Sequence, residues 1–125
     1  LLVGFSFGAE IAPFVINRLP EHYRQGLVGA VILSPSTSSD FEIHVSDMLT
    51  HKARSYPTEP QVKTIRDLPM VCLQGADDDY GDRLCPRLNQ PNVTNVTLPG
   101  GHHFDDNYPQ LYQAITKHLN LSPAP

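Results

Sequence analysis

The chain contains no tryptophan, two methionines and two cysteines. Two cysteines are too few for a disulfide scaffold, and their spacing, Cys72 to Cys85, fits no zinc motif. The pair is open to two readings, buried free thiols or one disulfide closing a short loop. No apolar run reaches the roughly 18 residues of a membrane-spanning helix. Charge is sparse: 18% of residues are charged, and 13 acids against 9 bases give a net charge of −4. That balance excludes an electrostatically driven nucleic-acid binder and a strongly basic membrane-surface protein. With 40% hydrophobic residues, the 125 residues suit one folded domain rather than a disordered chain. There is no initiator methionine. The chain opens on Leu1-Leu2-Val3, inside an apolar stretch, which reads as the interior of a longer sequence.

Apolar strands alternate with amphipathic segments, and no internal repeat appears. Residues 1–5 read as the end of a buried strand. Residues 7–19 read as a helix with Ile11, Phe14, Val15 and Leu19 near one face, and Pro13 is expected to kink it or delay its start. The continuous apolar run from Leu27 to Leu33 predicts a strand buried on both faces. Residues 34–69 form a polar, proline-containing excursion with room for one short helix. Strands follow at 69–73 and 92–98, separated by an acidic loop from Gly75 to Pro86. A helix is expected over 108–119, with Leu111, Ile115 and Leu119 aligned, and a tail at 123–125. This order predicts an α/β fold, a mostly parallel sheet with helices packed on it and right-handed crossovers.

Gly4-Phe5-Ser6-Phe7-Gly8 matches G-x-S-x-G with a strand before it and a helix after it. Such a turn lifts a serine hydroxyl above the sheet. It also aims the backbone N–H of the next residue, Phe7, at the same point, where it can stabilise an oxyanion. Small residues at positions 4 and 8 are expected because a Cβ would crowd the neighbouring strand or helix. A serine nucleophile needs a base, and the base an orienting acid. After the strand ending at Leu73 comes Asp77-Asp78-Asp79; after the strand ending at Leu98 comes Gly100-Gly101-His102-His103. Both groups fall just past strand ends, at the carboxyl edge where ligands bind in such sheets. Asp78 is the preferred acid, three residues after Gly75, with Asp77, Asp79 and Asp82 as alternatives. Either His102 or His103 can be the base. A metal site from His102, His103, Asp105 and Asp106 is the competing reading, but adjacent histidines on one strand point opposite ways. His22, His44, His51 and His118 read as surface residues.

The elbow with its tail, residues 4–14, then Asn17-Arg18-Leu19-Pro20, resembles the VirJ/AcvB bacterial virulence proteins. So do residues 40–45, Leu84-Cys85-Pro86 and residues 99–105. The resemblance covers most of the chain. It implies an α/β-hydrolase-type fold, a periplasmic location and a serine esterase with Ser6 as nucleophile, needing no cofactor and no metal. It further implies an ester substrate, an aminoacylated phospholipid such as lysyl-phosphatidylglycerol, and for some members an association with type IV secretion. A periplasmic home would favour a Cys72–Cys85 disulfide. The acidic loop is longer than the family pattern. The resemblance also implies amino-terminal strands and a second oxyanion donor that precede the elbow and are not in this chain, so self-association or cover by a second chain is expected. The competing function is a non-catalytic periplasmic interaction module on the same fold.

Overall fold

The computed structural model describes residues 1–39, 56–79 and 81–121. Residues 40–45, His51 and the tail at 123–125 lie outside the described residues. Strand β1 (Leu2–Phe5) leads through Ser6 into helix α1 (Phe7–Arg18), followed by a single turn, α2 (Glu21–Arg24), and strand β2 (Ala30–Leu33). Two residue pairs then form a small antiparallel ribbon, β3 (Ser38–Ser39) with β4 (Tyr56–Pro57). Helix α3 (Glu59–Lys63), strand β5 (Met70–Gly75), strand β6 (Val93–Leu98) and helix α4 (Tyr108–His118) complete the order. The main sheet runs β1-β2-β5-β6, and every pairing in it is parallel.

Every residue of β2 and β5 is buried, because both faces of the sheet are covered. Alternate side chains of these strands go to opposite sides. On one face Ala30, Ile32, Met70 and Cys72 pack with Ala9, Ala12 and Ile16 of α1 and with Val62 and Ile65. On the other, Val31, Leu33, Val71 and Leu73 pack with Phe104 and Leu111, flanked by Ala114, Ile115 and Leu119. Among the described residues no helix is long and apolar enough to cross a membrane.

Several expectations are corrected. The second strand starts at Ala30, not Leu27: Val28 is 64% exposed and Leu27 packs on the core from the preceding loop. Helix α1 starts at Phe7 and runs through Pro13, so the proline does not delay it. Its cost is one missing N–H, the one that would have served the Ala9 carbonyl. Phe14 is buried as expected, but the face on the sheet is Ala9, Ala12 and Ile16, and Val15 is exposed; the two alanines let the helix lie close on the sheet. The helix stops at Arg18 because Pro20 forces Leu19 into extended geometry, with φ −66° and ψ 140°.

Candidate functional site

The four parallel strands end on the same edge, and each contributes a polar residue just past its end. Ser6 follows β1, Ser34 follows β2, Asp78 follows β5 by three residues, and His102 follows β6 by four. Parallel pairing continues into these turns: the N–H of Ser6 donates to Leu33, that of Ser34 to Leu73 and that of Ala76 to Leu98, each at 2.8 Å.

Ser6 has φ 55° and ψ −116°, a conformation that a side chain rarely adopts. It occupies the N-cap position of α1, where a serine oxygen ordinarily accepts a hydrogen bond from the first turn of the helix. Here the side chain makes no cap bond. Its Oγ lies 2.8 Å from Nε2 of His102 instead. The first-turn amides, including that of Phe7, are therefore left uncapped by Ser6, at the positive end of the helix. Gly4 makes the turn possible: a Cβ there would stand 2.3 Å from the carbonyl oxygen of Gly8. Gly8 differs from the sequence expectation. A Cβ on it meets nothing within 4 Å, so packing among the described residues does not require that glycine.

On its other side the His102 ring presents Nδ1 to Oδ1 of Asp78 at 3.1 Å. Asp78 is buried, whereas Asp77, Asp79 and Asp82 are exposed. Ser6, His102 and Asp78 thus form one continuous hydrogen-bonded row. His103 is exposed, its ring edge-on to that of His102 with centroids 5.4 Å apart. Phe5 packs against both histidine rings at 5.4 and 5.3 Å. Asp105 and Asp106 lie in an exposed short turn of positive φ. Among the described residues no group of three or more His, Cys, Asp or Glu is arranged to hold a metal ion. His22 and His118 are exposed, while His44 lies outside the described residues.

The row spans the sheet. β1 and β6 are separated by two strands, which at the usual spacing puts them about 14 Å apart. The segment after β6 therefore has to travel back over the ends of β5 and β2 to reach Ser6. Gly75 permits the passage: a Cβ there would lie 2.2 Å from the Gly101 carbonyl oxygen. The Asp77 N–H donates to Gly100 at 2.8 Å, and the Ser34 hydroxyl donates to the His102 carbonyl at 2.7 Å.

Cys72 on β5 and Cys85, which begins a short turn (Cys85–Arg87), form a disulfide. The cross-link closes the loop that carries Asp78. Arg83 ties the same loop from within, its Nε donating to the Asp78 carbonyl at 2.7 Å and its Nη2 to the Ala76 carbonyl at 2.9 Å. Sequence reasoning missed Ser34, Gln74 and Arg83. The first two carried a signal, each being a polar residue at the end of an otherwise apolar strand.

The family model described as bacterial virulence protein (VirJ) matches residues 1–122. No curated protein matches the chain. Among solved structures, BpoC of Mycobacterium tuberculosis H37Rv, a candidate non-heme bromoperoxidase, is similar at TM-score 0.64 and 16% identity. That likeness covers 98% of this chain and 67% of the other. TT1662 from Thermus thermophilus is similar at TM-score 0.58 and 16% identity, over 98% of this chain and 55% of that one. The chain therefore spans between about half and two thirds of the length of these neighbours, and at such identities the likeness speaks to the fold alone.

Proposed function

The chain belongs to the VirJ family of bacterial virulence proteins and has an α/β-hydrolase-type fold, and from that premise we propose that it is a serine hydrolase acting on esters. One observation carries the reading: Ser6 Oγ, the His102 ring and the Asp78 carboxylate lie in a single row, with contacts of 2.8 and 3.1 Å. In the proposed mechanism His102 Nε2 takes the Ser6 proton as Oγ attacks the ester carbonyl. Asp78 accepts from the Nδ1–H, which fixes the tautomer and stabilises the imidazolium that forms. The Phe7 N–H, at the start of α1, donates to the oxyanion of the tetrahedral intermediate. His102 then passes its proton to the departing alcohol, leaving an acyl group on Ser6. Water, deprotonated by His102, releases the acid and restores the serine.

The substrate we propose is an aminoacyl ester on a phospholipid headgroup, the class that the family resemblance implies. The exposed carboxylates Asp77, Asp79 and Asp82 beside the row give a cationic aminoacyl group complementary charge. A periplasmic location is part of the same proposal, and the Cys72–Cys85 disulfide supports it, since such bonds persist in oxidising compartments. The test is a fluorophosphonate probe. Labelling at Ser6, lost in Ser6→Ala with the fold retained, is the expected result. An unlabelled wild-type chain, or hydrolysis retained in Ser6→Ala, overturns the mechanism.

A further inference from the structure

Gln74 is the fifth residue of β5 and is 3% exposed, following four apolar residues. A buried amide there needs partners for both its donor and its acceptor ends. Its Nε2 donates to Oδ2 of Asp78 at 2.7 Å. Its Oε1 accepts from the backbone N–H of Cys85 at 3.3 Å. Cys85 is in turn bonded covalently to Cys72, two residues before Gln74 on the same strand. Gln74 therefore bridges a fixed point, the disulfide-anchored turn, and the acid.

The two oxygens of Asp78 have different described neighbours. Oδ2 faces Gln74, and Oδ1 faces His102 Nδ1. The terminal torsion of an aspartate is broad and poorly fixed by its own rotamer preferences. The orientation of the carboxylate plane has to come from outside the residue. We propose that Gln74 is a positioning residue that sets this plane, so that Oδ1 meets the His102 N–H in line. The proposal rests on the hydrolase reading given above. Gln74 is buried and its part is indirect: it acts through Asp78.

Two substitutions separate positioning from simple space-filling. Gln74→Leu fills most of the same space with a branched apolar side chain and offers no donor to Asp78. Gln74→Met keeps approximate volume and removes both polar ends. Each is compared with wild type by melting temperature, by the rate at which fluorophosphonate labels Ser6, and by the downfield proton resonance of the His102 Nδ1–H bonded to Asp78. The expected result is a folded variant whose labelling slows roughly ten- to a hundredfold, the scale of a small misplacement in an active site, and whose resonance shifts or broadens. Labelling within twofold of wild type with an unmoved resonance in a folded variant overturns the proposal. Should Gln74→Met fail to fold, Gln74→Leu decides. A wild-type chain that takes no label sinks the hydrolase reading alone. The resonance then still decides for Gln74, since it reports the Asp78 orientation without any turnover.

Discussion

The hydroxyl of Ser34 donates a 2.7 Å hydrogen bond to the backbone carbonyl of His102, 68 residues along the chain. Ser34 is 2% exposed and has φ 54°, in the left-handed region. It sits past the end of β2, between the strand that leads to Ser6 and the strand that leads to Asp78. The bond fastens the segment crossing from β6 at the point where it passes over the sheet. Strain at one residue here accompanies the placement of another.

Replacing Ser34 separates the bond from the strain. Ser34→Ala removes the donor to the His102 carbonyl and keeps the unfavourable φ. The expected loss is about 1–3 kcal/mol of stability, with slower labelling of Ser6. Ser34→Gly also loses the bond but relieves the left-handed strain, so it should be more stable than the alanine variant by about 1 kcal/mol. Urea unfolding of the three proteins measures both differences. Equal stability of the two variants would remove the strain from the account.

The two glycines flanking Ser6 should behave oppositely. A Cβ at Gly4 would press on the backbone of Gly8 at 2.3 Å, and backbone cannot rotate away. Gly4→Ala is expected to cost at least about 3 kcal/mol, the upper end of ordinary overpacking, or to prevent folding. Gly8 has open space at that position and lies in the first turn of α1. Gly8→Ala should be neutral or stabilise the chain by up to about 1 kcal/mol, the helix preference of alanine. Thermal melts of both variants check the contrast.

The same contrast shows what could be read from the sequence. The apolar runs that become β2 and β5 announce strands covered on both faces, and the strand–Ser6–helix turn is visible as a spaced pattern. The pattern does not say which glycine a neighbour forbids from growing, since that depends on how α1 sits over β1. The buried stripe of α1 was only partly visible, through Phe14. Ala9 and Ala12 count for little in a hydrophobic pattern, yet close approach to the sheet selects them over Val15. The partner of Ser6 was illegible for a different reason. His102 and His103 are adjacent in sequence, and what distinguishes them is a crossing over β5 and β2 held by Gly75 and Ser34. Only a known path across the sheet reveals those contacts.

Opening the disulfide should loosen the loop that holds Asp78. The cross-link joins residues separated by 13 positions, and a loop of that size contributes about 3 kcal/mol in the chain-entropy account. The double variant Cys72→Ala/Cys85→Ala is expected to lose at least about that much in urea unfolding. Both cysteines are buried in the core face shared with α1, so part of the loss reflects packing. The single variant Cys85→Ala, which keeps Cys72 and its core contacts, bounds that part. Reduction of the unsubstituted chain with dithiothreitol should slow Ser6 labelling, and reoxidation should restore it. An unchanged rate after full reduction would show that the disulfide has no influence on Asp78.

Strand β1 lies at the end of the sheet and pairs with β2 alone among the described residues. Apolar side chains along and beside it are half-exposed: Val3 is 50% exposed and Phe5, which also packs on His102 and His103, 40%, with Leu1 at 48% and Phe7 at 49%. A strand edge left unpaired among the described residues, with apolar side chains beside it, invites another strand. The 125-residue chain by itself should therefore form dimers or larger species through β1. Sedimentation velocity at micromolar concentration is the measurement, and a single monomeric species would refute the expectation. Val3→Lys puts a charge on that edge without entering the Ser6, His102 and Asp78 row. It should shift the distribution toward monomer, as edge lysines do in natural sheets. If the variant associates as strongly as the parent, the contact between copies lies elsewhere on the surface.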